Sequence, residues 1–192
     1  MPLPLPLFDA FGLFLRPFRA GDEADWLAYL GNQDVVDLTG WQVSSVAELI
    51  ALMQLDRQYG PIRFALARKT DDRLVGTFGF LDVDNGQAEI AYDLVPELWN
   101  KGIAGGAVAC LCQWGIEVLA LRNVKACTRV GNRASSRVLE KCGFRLEGTI
   151  RQVRYANGKP DNYRVYRWVA AAGSAGGHIT AGETIDQQRE AS

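Results

Sequence analysis

Two short stretches of this chain hold the residues best suited to chemistry. The first is Glu97-Leu98-Trp99-Asn100-Lys101-Gly102-Ile103-Ala104-Gly105-Gly106-Ala107. Glycine has no Cβ, so its backbone N–H can approach a ligand without obstruction. The apolar run that follows, to about Ala120, reads as a helix. A helix start offers unpaired N–H donors and the positive end of the peptide dipole. With Lys101, these are the parts of a phosphate cradle. The spacing matches neither a P-loop nor Gly-x-Gly-x-x-Gly. A plain strand-to-helix turn, with glycines for close packing, fits the same residues. Two glycines early in a helix cost about 1 kcal/mol each relative to Ala, a loss that packing or a ligand would offset.

The second stretch is Asn132-Arg133-Ala134-Ser135-Ser136-Arg137-Val138-Leu139-Glu140-Lys141-Cys142-Gly143-Phe144. Asn132 suits an N-cap and Gly143 the residue past a helix end, so a helix of roughly ten residues fits between them. Ser135 falls in its first turn, facing back toward the end of the preceding strand. By itself the stretch reads as a well-capped helix as readily as a site.

These stretches need a scaffold. Residues 13–18 read as an edge strand ending at Pro17, and Gly21-Asp22-Glu23 opens a helix through Leu30. Ser44 or Ser45 caps a second helix over 45–58, with Glu48 in capping-box position to Ser45. Strands follow at 62–68, 74–83 and 87–95, the last two joined by Asp84-Asn85-Gly86, whose Asn and Gly tolerate the positive φ of a tight hairpin. After the long helix come a strand at 123–129, the helix at 133–142, and strands at 144–155 and 162–169 around Asn157-Gly158-Lys159-Pro160. The order predicts an α+β fold, a mixed sheet with helices packed on it. We expect an N-terminal extension over 1–11, one domain over 12–170 and a flexible tail over 171–192, where apolar periodicity is absent.

The chain has 192 residues, enough for one domain with its own core. At 48% hydrophobic and 22% charged it is not a disordered composition. No apolar run reaches the roughly 18 residues of a membrane span, and the N-terminal MPLPLPLF has no basic residue, so we expect a cytoplasmic protein without a membrane partner. Cys110, Cys112, Cys127 and Cys142 form no Cys-x-x-Cys pair and read as small buried hydrophobes. With His178 the one histidine, no metal site is expected. The net charge of −1 conceals a division: residues 1–97 carry 7 basic and 15 acidic side chains, residues 98–168 carry 13 and 4. A basic C-terminal half suits an anionic ligand, or a solvated surface whose charges have segregated by chance.

The segment A-E-I-A-Y-D-L-V-P-E-L-W-N-K-G-I-A, then N-R-A-S-S-R-V-L-E-K-C-G-F, then the N-G-K turn before a last strand, resembles the GNAT superfamily of acyl-CoA-dependent N-acetyltransferases. Within it the chain is most similar to the RimJ/RimL type, which includes acetyltransferases of ribosomal-protein N-termini. The opening L-x-L-R-P-F-R-A-G-D-E-A-D fits the same group, and the resemblance covers about residues 12–169. It implies a mostly antiparallel central sheet flanked by helices and splayed at an acetyl-CoA site. It implies that the pyrophosphate lies on Trp99, Asn100, Lys101, Gly102, Ile103, Ala104, Gly105 and Gly106. The pantetheine would lie against the strand end at Leu94 and Val95, with Asn132 on the cofactor arm and Ser135 near the thioester sulfur. Two departures stand out. Gly105-Gly106 replaces the usual Thr-Glu or similar pair, and Val138-Leu139 stand where many members have a Tyr that acts as general acid.

The implied reaction is attack of a neutral amine on a thioester, so it needs a deprotonated amine, a stabilised oxygen charge and a thiolate able to leave. A strand N–H near Leu94 could hold the oxygen charge and Ser135 could serve the thiolate. Glu89 matches the family's Glu and is the candidate base; it also fits a strand-face carboxylate paired with an arginine. Tyr92 fits packing as well as catalysis. A protein α-amine, with a pKa of about 7.7–8.0, needs only a weak base, unlike lysine at about 10.4. The expected acceptor is therefore a protein N-terminus, with a small amine (antibiotic, polyamine or amino acid) as the alternative and a non-catalytic acyl-CoA-binding module third. The acidic N-terminal half suits a cationic acceptor. No nucleic-acid module is recognised, and monomer and homodimer are both open.

Overall fold

The computed structural model describes residues 3–40, 43–51, 62–153 and 160–170. In chain order the elements are β1 (Asp9–Ala10), β2 (Leu13–Arg16), α1 (Asp22–Leu30), α2 (Gln33–Thr39) and helical residues 46–51 (α3). Then come β3 (Ile62–Arg68), β4 (Leu74–Asp84), β5 (Gln87–Leu94), a single 3-10 turn at Pro96–Leu98 and α4 (Ile103–Leu119). The chain continues through β6 (Asn123–Arg129), α5 (Arg133–Lys141), β7 (Arg145–Val153) and β8 (Asp161–Val169). The strands form one sheet in the order β1-β2-β3-β4-β5-β6-β8-β7. Every neighbouring pair is antiparallel except β5 and β6.

A strand sends successive side chains to opposite faces. Phe64, Leu66, Phe78, Phe80, Ala88, Ile90 and Leu94 share one face and bury against Val108, Leu111 and Trp114 of α4 and Leu139 of α5. Ala65 and Leu74 belong to a second core with Trp26, Tyr29 and Leu30 of α1, Val35 of α2 and Leu49 of α3. Helices therefore cover both faces. Ser45 Oγ accepts from the Glu48 N–H at 3.1 Å, while Glu48 returns to the Ser44 N–H at 3.0 Å, so both serines take part in the cap.

Three features differ from the sequence expectation. The strand at Leu13–Arg16 is not at the edge, because β1 pairs outside it, Asp9 with Phe14 and Ala10 with Leu13. The α2 helix has no counterpart in the sequence reading. It is capped by Asn32, whose side chain accepts from the Asp34 N–H, and stops at Gly40 with φ 75°. Of the cysteines only Cys112 is buried; all four are free and the other three are half-buried. The turn at 157–160 lies largely, and the tail at 171–192 wholly, outside the described residues. Residues before Gly12 pack onto the domain: Trp114 Nε1 donates to the Pro4 carbonyl at 2.8 Å, and Pro6 and Phe8 are buried while Leu5 and Leu7 face outward.

The splay is explicit in the register. β5 pairs with β6 only at Gln87, Ala88 and Glu89, against Asn123, Val124 and Lys125. β4 follows β5 to Leu94, and β8 follows β6 to Arg129. Beyond Glu89 and Lys125 the two central strands part company.

Candidate active site

The parting of β5 and β6 opens a cleft of about 380 Å³. Its lining comes from both faces of the sheet: Glu89, Ala91 and Asp93 on the α1/α2 side, Tyr92, Ser135 and Leu139 on the α4/α5 side.

On the α4/α5 side, the Val95 N–H donates to the Val75 carbonyl at 2.9 Å. Bonded and non-bonded pairs alternate in an antiparallel ladder. That phase turns the N–H and C=O groups of Tyr92 and Leu94 away from β4 and toward the split. Two groups at this strand end are already used, the Val95 N–H and the Leu94 carbonyl. Trp99 Nε1 donates to the Leu94 carbonyl at 2.8 Å, pinning the start of the glycine-rich loop to the end of β5. Trp99→Phe removes this bond, worth about 1 kcal/mol, and should weaken coenzyme A binding about fivefold by calorimetry with little change in turnover at saturation.

The loop turns with positive φ at Asn100 (60°) and Gly102 (80°) and then enters α4. A Cβ built on Gly102 or Gly105 meets nothing within 4 Å, so this surface has room for a phosphate to approach the backbone. Gly106 differs: a Cβ there would lie 3.3 Å from Cε2 of Phe8. One glycine of the pair thus makes room for the N-terminal segment, and the Cys142 thiol donates to the Gly105 carbonyl at 3.4 Å. These contacts support the helix start that the glycine pair would otherwise weaken.

Asn132 caps α5: its Oδ1 accepts from the Ser135 N–H at 3.0 Å, and its Nδ2 donates to the Leu38 carbonyl at 3.2 Å. One side chain therefore ties α2 to the turn carrying Ser135. Arg129 joins the same tie by donating to the Asp37 carbonyl at 2.7 Å. The Ser135 Oγ lies 2.8 Å from the Tyr92 hydroxyl. Tyr92 stacks on Phe78, with ring centroids 5.6 Å apart and planes 5° apart. Burial pushes its pKa up, so the phenol stays neutral.

On the other side, Glu89 Oε2 accepts from Lys125 Nζ at 3.1 Å; the pair is part-exposed, 18% for Glu89 and 37% for Lys125. Partial burial lowers the Lys125 pKa, but the bond to Glu89 outweighs it and the net shift is upward. The partner is the lysine directly across the parallel pair, whereas the structural alternative for Glu89 named an arginine. Asp93 is enclosed: Tyr29 donates to one oxygen, and Arg63 at 3.0 Å and Thr77 at 2.6 Å donate to the other. Arg63 also lies over the Trp26 ring, 5.0 Å from its centroid. Asp93 is thus satisfied within the protein, whereas Glu89 keeps one oxygen for which no hydrogen bond is seen among the described residues. Among those residues no group of three or more His, Cys, Asp or Glu could hold a metal. No described helix is long and apolar enough to cross a membrane.

The split parallel pair thus has Ser135 and Tyr92 on one side and the part-exposed Glu89 carboxylate on the other. Residues 12–145 match the family described as acetyltransferase (GNAT) domain. YoaA of Bacillus subtilis, an uncharacterised N-acetyltransferase, is 32% identical over 168 residues, covering 84% of this chain and 95% of YoaA. The ribosomal-protein-S5-alanine acetyltransferase of Vibrio fischeri shares the fold at TM-score 0.72 and 19% identity, covering 84% of this chain and 95% of that one. The spermidine N-acetyltransferase of Vibrio cholerae, solved with CoA and spermine, does so at TM-score 0.71 and 20% identity, covering 82% and 95%. The chain belongs to the GNAT acetyltransferase family, as a RimJ/RimL-like, acyl-CoA-dependent N-acetyltransferase.

Proposed function

We propose that this enzyme moves the acetyl group of acetyl-CoA to a primary amine, a protein N-terminal α-amine in the first instance, within a ternary complex. The observation that carries this reading is the split between β5 and β6, with Glu89 reaching it from one face and the Ser135–Tyr92 pair from the other. The open surface at Gly102 and Gly105, the outward-turned backbone of Tyr92 and the Leu94 N–H fit a diphosphate and a pantetheine arm. Trp99 to Gly106 and Leu94 would hold the cofactor, with the Val95 carbonyl beside them and Asn132 setting the turn below. When bound, acetyl-CoA supplies an activated acyl group and a thiol leaving group.

The protein's own groups do the rest. Glu89, held by Lys125, takes the amine proton directly or through water. A strand N–H at Leu94 faces the split and stabilises oxygen charge as it develops. Ser135 donates a hydrogen bond to sulfur as negative charge gathers there. Holding both reactants in one slot supplies much of the remaining rate.

Glu89→Gln is expected to lower turnover about tenfold at pH 6.5 and only slightly at pH 9, where an α-amine of pKa about 8 is already neutral. An equal loss at both pH values would assign Glu89 to structure. A small amine is the second reading, favoured by the cleft volume of about 380 Å³, which lies within the range of small-molecule pockets. Incubation with acetyl-CoA and a panel of N-terminal peptides, polyamines and amino acids, with free thiol measured, decides between them. Release with peptides alone supports the first reading. Coenzyme A binding without release for any acceptor leaves an acyl-CoA-binding module.

A further inference from the structure

We infer that Tyr92 is a positioning residue for Ser135, fixing which way the serine hydroxyl hydrogen points. The inference rests on the acetyl-transfer reading above. Its basis is a contact between elements far apart in the chain. The Tyr92 hydroxyl, from β5, sits 2.8 Å from Ser135 Oγ in the first turn of α5, and 3.5 Å from the Ser135 carbonyl oxygen. No other hydrogen-bond partner is seen for the phenol among the described residues. Its ring cannot swing away, because it lies flat on Phe78.

The direction of the bond follows from what surrounds it. A half-buried phenol held neutral has one hydrogen to give, and the acceptors within reach both belong to Ser135. Donation to Oγ uses one lone pair of the serine and leaves its own O–H free to rotate outward. The open side is the cleft, which Ser135 and Tyr92 both line. Tyr92 therefore aims the serine hydrogen into the slot without touching the reacting atoms. A serine lacking such a partner would spend much of its time donating to nearby backbone carbonyls, as helical serines do. The Asn132 cap fixes the backbone of the same residue, so Ser135 is held at N–H and at Oγ by two separate elements.

Three variants test this: Tyr92→Phe, Ser135→Ala and the pair combined. Tyr92→Phe keeps the ring on Phe78 and removes only the hydroxyl. Turnover is expected to fall about tenfold, with the coenzyme A dissociation constant and the amine KM within about twofold of wild type. In the Ser135→Ala background, adding Tyr92→Phe is expected to change turnover by less than about twofold, because the two act as one unit. The same tenfold loss in both backgrounds would overturn the inference, as would a Tyr92→Phe enzyme with wild-type turnover. A matched loss of melting temperature and coenzyme A affinity in Tyr92→Phe would instead assign the hydroxyl to structure. If the wild-type enzyme acetylates no amine, the failure lies with the parent reading, since the cycle then has no starting rate.

Discussion

Arg16→Met is expected to cost about 3–5 kcal/mol of stability, the usual result of removing one partner from a buried ion pair. At roughly 2–4 °C per kcal/mol for a chain of this size, the melting temperature should drop by about 10 °C or more. The reason is the completeness of the arrangement. Arg16 and Asp22 expose only 4% and 7% of their side chains. All five guanidinium hydrogens are used: two bonds to the Asp22 carboxylate at 2.7 and 2.9 Å, one to Asp72 Oδ1 at 2.7 Å, and one each to the Asp72 and Pro17 carbonyls at 2.8 and 3.0 Å. Methionine fills most of the volume but takes the charged partner from the Asp22 carboxylate, which keeps only the Arg19 N–H, and removes a donor from the Asp72 and Pro17 carbonyls. Lysine keeps the charge without the planar fork and should recover only part of the loss. A pH series adds a check. Burial would raise the Asp22 pKa, yet the Arg16 bonds and the Arg19 N–H outweigh it, and the net shift is downward. Stability from this group is therefore present above the ordinary carboxylate pKa of about 3.9 and lost as pH falls through the lower, folded value. The gap between wild type and Arg16→Met should hold from pH 7 down to about 4 and narrow below that. A gap independent of pH to 2.5 would show that the loss is one of packing.

The second large effect is on rate. Ser135→Ala is expected to lower turnover about a hundredfold while coenzyme A binds within about threefold of wild type. The alanine keeps the N–H that Asn132 caps, so α5 should remain in place. What is lost is the hydroxyl that Tyr92 reaches in the cleft. Calorimetry and steady-state rates on the same preparation separate the outcomes. A loss confined to coenzyme A affinity would make Ser135 a cofactor contact with no part in thiolate departure.

Much of this architecture is legible in the residues alone, and what is not has a common cause. The Asn85-Gly86 turn was legible because its chemistry is local: both residues take positive φ, at 47° and 77°. The two glycine-bearing helix starts were legible for the same reason. The α2 helix was hidden because Gln33–Thr39 is too short to show a period, and its C-terminal carbonyls are held by Arg129 and Asn132, more than ninety positions away. Tyr92 stayed ambiguous because its partner lies 43 residues further on. Lys125 is not legible as the Glu89 partner because the parallel register that delivers it depends on the α4 crossover. Sequence gave the donors and acceptors; which of them meet is a property of topology.

The seat of Phe8 against Gly106 carries an evolutionary corollary. Positions 8 and 106 are expected to change in concert across the family. Descendants that keep an aromatic at the amino-terminal site should keep glycine opposite it, and lineages that lost the ring are free to restore a bulkier, better helix-forming side chain there. Gly106 would then be a mark of how this lineage fastened its leading segment.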